Sequence, residues 1–397
     1  MVSSQKICIL GGGFGGLYAA LRLAQLPAAN TDNLDIVLVD RAAHFVFSPL
    51  LYELITGELQ SWEIAPPFVE LLENTSVRFR QAGVDSIDIE ARSVRLDDGG
   101  ILEYDRLVLA LGGETPMNMV PGAAEFAIPF KTIDDAYRLQ EQLRRLEAAD
   151  PEKIRVAIVG AGYSGVELAC KLADRLGEKG RVRLVERDKD ILATASEFNR
   201  QAARQALSDR GVWLDLETTV TALTADTISL EYREKIDTIP VDIVLWTVGM
   251  RVAKAVRSLP LEKTDRGQLK MTPTLQAIDR SEIFVLGDLA NCLDADGKQV
   301  PNTAQAAIQQ ADYAAWNVWA SLRDRPLLPF RYQNLGEMMA LGTDSATLTG
   351  LGIKLDGPLA YAARRLTYLY RLPTLEHRIK VGLNWMVSPV AQWLKEG

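Results

Sequence analysis

Apolar residues along this chain fall into short unbroken runs, several of them followed by a glycine turn and a stretch of helical spacing. "KICIL" (residues 6–10) predicts a buried strand. "GGLYAALRLAQL" (15–26) repeats apolar positions every three or four residues and predicts a helix. "LDIVLVD" (34–40) predicts a second strand that ends at Asp40. Residues 76–113 alternate over short segments broken by turn residues, the pattern of several short strands. The last of these, "DRLVLALGG" (105–113), predicts a buried strand ending at Gly112 and Gly113.

The pattern then repeats. After a polar helical segment (132–153), "RVAIVG" predicts a strand, "VELACKLADRL" a helix and "RVRLVER" a strand. "VDIVLWTVG" (241–249) mirrors "DRLVLALGG". "SEIFVLGDLANC" (281–292) predicts one more strand, ending at Gly287 and Asp288, and a helix begins near Thr303. Strands alternating with helices predict an α/β fold, and the internal duplication predicts two Rossmann-like dinucleotide-binding domains. At 397 residues the chain exceeds one ordinary core. The expected partition is 1–131 and 263–330 for the first domain, 132–262 for the second, and 331–397 for a separate C-terminal region.

Each unit opens on G-x-G-x-x-G: Gly11, Gly13 and Gly16, then Gly160, Gly162 and Gly165. The first glycine permits the tight turn, the second lets backbone approach a pyrophosphate, and the third lets helix and strand pack closely. The helix N-terminus adds N–H donors and partial positive charge. A lone motif of this kind is weak evidence. Here each one follows a strand, opens a helix, and is followed by a strand ending in an acid, Asp40 or Glu186, suited to ribose hydroxyls. Two nucleotide sites in one chain point to FAD at the first loop and NAD(P)H at the second. Asp288 is suited to the ribityl chain, or else to capping the turn that follows it. Glu186 favours an unphosphorylated ribose, while Arg187 and Lys189 leave a 2′-phosphate open.

Composition narrows the acceptor. The net charge of −8 argues against nucleic acid. Cys8, Cys170 and Cys292 form no C-x-x-C pair, which argues against a disulfide reductase, a disulfide framework or a zinc site. Only His44 and His377 could add imidazole ligands. The first strand starts almost at once, so no signal peptide is expected, and no apolar run reaches the ~20 residues of a spanning helix. A two-electron acceptor that docks beside a flavin remains, and a quinone fits.

The motifs "GGGFGGLYAA", "FSPLLYEL", "GAGYSGVELA", "WTVG", "GD" and "TAQAAIQQ", in this order, resemble the type II NAD(P)H:quinone dehydrogenases over nearly the whole chain. The resemblance implies a glutathione-reductase-like pair of dinucleotide-binding domains. "ELQSWEIAPPFVELL", "NLGEMMALG" and "YLYRLPTLEHRIKVGLNW" look like the cyanobacterial and plastid branch linked to demethylphylloquinone reduction in phylloquinone biosynthesis. The FAD set so implied is Gly11, Gly13, Phe14, Gly15, Gly16, Asp40, Arg41, Pro49, Leu50, Ala110, Gly112, Asp288, Ala304 and Gln305. The NAD(P)H set is Gly160, Gly162, Tyr163, Ser164, Glu167, Glu186, Arg187 and Gly249. Gln305 and Glu167 are the implied catalytic pair, Gln305 at the quinone head and Glu167 in proton relay or nicotinamide positioning. Against these stand plainer readings: Gln305 as a helix-surface amide, Glu167 as an acid favoured in a first helical turn, and Pro49 as a helix start.

The last 39 residues carry +4 on a body of −12, with Arg364, Arg365, Arg371, Arg378, Lys380 and Lys395 against Glu376 and Glu396. Ile379, Leu383, Met386, Val390 and Trp393 form one helical stripe, with Trp385 and Leu394 nearby, and Pro389 argues against one straight helix. Such a tail predicts an amphipathic membrane-associating region, its cations facing anionic lipid. A dimer contact or packing on the body are the other readings of the stripe. The expectation is a peripheral, non-pumping NAD(P)H:quinone oxidoreductase on the cytoplasmic face of a thylakoid or plasma membrane. Demethylphylloquinone or a naphthoquinone is the favoured acceptor, with plastoquinone open. The alternatives are a soluble reductase of a ferredoxin- or rubredoxin-type acceptor and an FAD-bound protein without turnover.

Overall fold

The computed structural model describes residues 4–26 and 34–396, with side chains described as far as residue 387. The chain forms two compact units. One comprises Met1–Phe45, Pro66–Glu114 and Met250–Gln333, and the other Val46–Ala65, Thr115–Gly249 and Asn334–Gly397.

The first unit is built on a six-stranded sheet. Gln5–Leu10 lies inside it, flanked by Leu34–Asp40 on one side and Arg106–Leu109 on the other, all parallel. Val77–Gln81 continues the first side, and Arg280–Val285 joins beside Arg106–Leu109. The parallel strands run nearly unbroken in apolar residues because both faces of such a sheet are covered. Helices Phe14–Gln25 and Ala304–Ser321 pack on one another, and the second buries Ala306, Ala307, Ala311, Ala314 and Ala315.

The second unit repeats this winding. Ile154–Val159 is flanked by Gly180–Val185 and Ile243–Trp246, with Trp213–Asp215 outside the former. The fifth strand is Ala127–Pro129, which pairs in parallel with Ile243–Trp246. That pairing moves residues 115–131 out of the first domain, where the sequence pattern put them, because their strand finds its ladder partner only here. Residues 250–262 move the other way, since Arg251–Val252 pairs with Gly113–Glu114. Residues 334–397 are no separate region either. The strands Glu337–Ala340, Ala346–Gly350 and Ile353–Asp356 and the helices Gly357–Arg371 and Leu375–Glu396 all belong to the second unit. The last helix is one element across Pro389. Among the described residues, no helix is long and apolar enough to cross a membrane.

Candidate functional site

The two glycine loops are near copies. Gly11 and Gly160 adopt φ of 98° and 103°, a region open to glycine and strained for other residues. Their N–H groups donate to Val39 O and Val185 O, each at 2.8 Å. A Cβ on Gly16 would meet Gly11 O at 1.8 Å, and one on Gly165 would meet Gly160 O at 1.8 Å. The third glycine is therefore fixed by helix-to-turn packing in both. Around Gly13 and Gly162 the space is open, and no side chain caps the helix that either one starts. An exposed glycine before an uncapped helix N-terminus is what a pyrophosphate requires.

The acids repeat as well. Asp40 Oδ2 accepts from Gly12 N at 2.6 Å and Oδ1 from Ala42 N at 2.8 Å. Glu186 Oε2 accepts from Ala161 N at 2.7 Å and Oε1 from Asp188 N at 3.1 Å. Two bonds leave each carboxylate with lone pairs for ribose hydroxyls. The side chain of Arg187 is 78% exposed, 3.9 Å from Asp188, and Arg41 is exposed too.

Within the first unit the late segment returns to the first loop. A Cβ on Gly15 would lie 3.1 Å from Leu286 and 3.6 Å from Ala110. One on Gly112 would lie 3.9 Å from Asp288 Oδ2. Asp288 sits in the single turn Gly287–Leu289. That turn is held by Gln310, which accepts from Gly287 N at 2.8 Å, and by Asn302, which donates to Gly287 O at 3.0 Å. Phe14 packs edge-on against Phe45 with centroids 5.3 Å apart. Ala304 opens its helix behind the Thr303 cap. Gln305 follows and is half-buried, and its Oε1 accepts from Tyr332 OH at 2.9 Å, so it is no free surface amide.

Within the second unit, Tyr163 OH donates to Glu337 Oε2 at 2.9 Å, and Tyr52 OH donates to Ser164 Oγ at 2.9 Å. Gly249 has a φ of 79°, and a Cβ there would meet Pro116 at 2.8 Å. Pro49 and Leu50 lie in the 3-10 turn Ser48–Leu54, with Pro49 near its start and Leu50 buried. Both belong to this unit.

Glu167 is not in the first turn of the helix Tyr163–Leu176, so the helix dipole does not account for it. It is buried and accepts from Ala340 N at 2.8 Å through Oε1. Arg364 Nη2 lies 3.4 Å from the same oxygen, donates to Pro49 O at 2.7 Å, and its Nη1 donates to Glu53 Oε1 at 2.5 Å. Neither Arg364 nor Glu53 has any solvent exposure. Lys171, one helical turn beyond Glu167, is equally buried and pairs with Glu58, which also accepts from Tyr361 OH. Burial pushes the Glu167 carboxyl up to about 7, against the pull of Arg364 and the Ala340 N–H. Burial acts on Glu53 in the same direction, yet Arg364 and then Lys171 hold it below the ordinary carboxylate range.

This cluster corrects the reading of Arg364 as a lipid-facing cation. The sequence marks it as one more base in a basic tail, but it points inward to two carboxylates. Arg365 stacks on Trp385 at 4.2 Å, and Arg378 donates to Leu372 O at 2.6 Å. Trp385 also turns inward, donating to Glu63 at 2.7 Å. The tail also leaves large apolar side chains exposed, Leu359, Leu366, Tyr370, Leu375, Ile379, Leu383, Met386 and Val387, beside the exposed Glu376 and Lys380. Val390, Trp393, Leu394 and Lys395 lie outside the described side chains. Glu53, Lys171, Glu63 and Tyr332 were missed by sequence reasoning. Only the placement of Glu53 inside "FSPLLYEL", an acid in an apolar run, could have flagged one of them.

Residues 5–311 match the family profile of the pyridine nucleotide-disulphide oxidoreductases. The chain is 57% identical to a demethylphylloquinone reductase of Synechocystis, over 98% of both chains. It is 44% identical to the chloroplastic/mitochondrial alternative NAD(P)H-ubiquinone oxidoreductase C1 of Arabidopsis thaliana, over 96% of this chain and 80% of that one. Its fold matches NDH2 of Plasmodium falciparum, solved in complex with NADH, with a TM-score of 0.85 at 17% identity over 97% of this chain and 98% of that one.

Proposed function

The chain belongs to the pyridine nucleotide-disulphide oxidoreductase family, and we propose that within it the protein is an FAD-dependent NAD(P)H:quinone oxidoreductase of the type II kind. Demethylphylloquinone or a related naphthoquinone is its favoured acceptor. The observation that carries this reading is the duplicated loop: two turns of the same geometry, each with an open second glycine and a carboxylate tied to its backbone. The 57% identity to a demethylphylloquinone reductase supports the choice of quinone.

FAD would be held by Gly11, Gly13, Phe14, Gly15, Gly16, Asp40, Arg41, Ala110, Gly112, Asp288, Ala304 and Gln305; when bound it supplies a two-electron carrier between NAD(P)H and quinone. Gly160, Gly162, Tyr163, Ser164, Glu186, Arg187 and Gly249 would bind NAD(P)H. Disulfide chemistry has no support from the cysteines. All three are free and buried, and burial pushes Cys8 and Cys170 up to about 12, far from a reactive thiolate. Gln305, steadied by Tyr332, orients the quinone head. Glu167 holds a proton near neutral pH, which suits a reaction that consumes two protons. The protein is peripheral, with the exposed apolar face of the last two helices on the lipid at the cytoplasmic side of a thylakoid or plasma membrane. A homodimer through that same face is the competing use of it.

Steady-state rates over a panel of quinones, each with NADH and with NADPH, test the reading. Naphthoquinones lacking the ring methyl should give the highest kcat/KM. Purified protein without flavin absorbance would overturn the whole proposal. Gln305→Ala should slow flavin reoxidation by quinone more than flavin reduction by NADH, and equal losses in both would remove Gln305 from the quinone site.

A further inference from the structure

Four segments meet at Glu167. The turn Ser48–Leu54 brings Tyr52 and Glu53; its own helix brings Tyr163, Cys170 and Lys171; strand Glu337–Ala340 brings the Ala340 N–H; helix Gly357–Arg371 brings Arg364 and Tyr368. Arg364 divides its guanidinium unequally. The short bond goes to Glu53 at 2.5 Å and the long one to Glu167 at 3.4 Å. Its Nε and the second oxygen of Glu53 make no hydrogen bond. Both charges are fully buried, where Coulomb attraction is screened less than at the surface.

A buried arginine with one acidic neighbour would hold that neighbour as a permanent carboxylate. A carboxylate locked in this way can neither give nor take a proton. With two acids and one arginine, one acid can carry the counter-charge while the other titrates. The geometry says which acid does which: Glu53 takes the short bond and Glu167 the long one.

We propose that Glu53 is a positioning residue for the quinone half-reaction: it neutralises and anchors Arg364, so that Glu167 remains free to gain and lose a proton. This rests on the reading that Glu167 serves quinone reduction. Arg364 then belongs to the catalytic centre's surroundings, although it lies in the part of the chain that otherwise looks like a membrane anchor. Lys171 does not substitute for it, because Glu58 engages that ammonium and also accepts from the Tyr361 phenol.

The test uses the flavin-loaded full-length protein. Infrared difference spectra across a pH titration report the carboxylic C=O band of Glu167, identified by its loss in Glu167→Gln. Glu53→Gln should move its midpoint down by about one unit or more, a tenfold change in protonation ratio at a given pH. Arg364→Met should move it up. The double variant Glu53→Gln/Arg364→Met removes both charges, and its midpoint should return towards that of the parent. A neutral pair of this kind also packs without a stranded charge, which guards against failure to fold. Retained yellow flavin absorbance identifies folded samples.

A midpoint that Glu53→Gln leaves in place, in protein whose reoxidation still depends on Glu167, would overturn the proposal and leave the quinone reading standing. A double variant shifted as far as Glu53→Gln alone would overturn it too, since charge balance predicts cancellation. A midpoint that moves while the pH profile of flavin reoxidation by a water-soluble quinone stays put would take Glu167 out of the quinone step, and the role of Glu53 would fall with it.

Discussion

The indole Nε1 of Trp385 donates to Glu63 Oε1 at 2.7 Å, and Asn384 Nδ2 donates to the same oxygen at 3.1 Å. One buried acid thereby sets the rotation of the last helix. His377 adds a third tie, its Nε2 lying 2.8 Å from Glu63 O. With Trp385 turned in, Ile379, Leu383, Met386 and Val387 must face out.

That rotation makes the proposed membrane contact testable by substitution. Each apolar side chain transferred from water to lipid contributes roughly 1.5–3 kcal/mol when fully buried. Ile379→Ser/Leu383→Ser/Met386→Ser should therefore cut binding to anionic vesicles by at least about a hundredfold in a sedimentation assay. Turnover with a water-soluble quinone should persist. Unchanged vesicle binding would remove this face from the lipid contact, and a change in oligomeric state instead would make it a dimer contact. Deleting residues 359–397 is a poorer test, because it also takes Arg364 away from Glu53.

The loops predict a pair of matched defects. Gly16→Ala and Gly165→Ala each place a methyl 1.8 Å from a carbonyl oxygen, so helix and turn must separate. The cost should be about 1–3 kcal/mol of local strain in either unit. Gly16→Ala should lower the flavin-to-protein absorbance ratio of purified protein. Gly165→Ala should keep the flavin and raise the Kd for NADH. Reversed results would exchange the nucleotide assignments.

Glu186 should discriminate between the two dinucleotides. A 2′-phosphate beside this carboxylate meets like charge, while Arg187 stands exposed next to it. Glu186→Ser should shift the NADPH:NADH ratio of kcat/KM by about tenfold towards NADPH, or ~1.4 kcal/mol. The Ala161 N–H loses its acceptor as well, so NADH should weaken in the same variant. A ratio that stays put would place the ribose elsewhere.

Glu167 should leave a mark on stability. Its carboxyl titrates near 7 when folded, above its ordinary 4.5. The folded state then binds the proton more tightly than the unfolded chain, so its stabilisation is full below 4.5 and fades as pH rises through 7. The amount is on the order of 3 kcal/mol. Thermal midpoints of the parent should fall relative to Glu167→Gln between pH 5 and 8, and parallel curves would refute the raised titration.

Tyr332→Phe should loosen Gln305 without touching the loops. The variant deletes one hydrogen bond of 2.9 Å, about 0.5–1.5 kcal/mol net, so a two- to tenfold fall in quinone kcat/KM is expected. Flavin reduction by NADH should hold. An equal effect on both half-reactions would mean that Tyr332 supports the fold rather than the amide.

The repeated strand–turn–helix units were legible from the chain because they are local. A glycine at φ near 100°, a run of apolar residues and an acid at a strand end each declare themselves within a few residues. Both nucleotide loops, the late strand Arg280–Val285 and the helix after Thr303 could be read in that way. The domain limits could not, since Ala127–Pro129 carries no mark of the distant strand that completes its ladder.

The charge cluster lay beyond the sequence for the same reason. Glu53, Glu167 and Arg364 are separated by 114 and 197 positions and come from a turn, a helix and the tail. Burial turned an arginine that looked like surface charge into the counter-ion of two acids, and raised one of those acids to the edge of neutrality. Residue order determined that two dinucleotide loops would form, because hydrophobic period and glycine geometry are properties of neighbours. Only tertiary structure decided which charges are buried together, because electrostatic strength depends on the surroundings that distant segments build together.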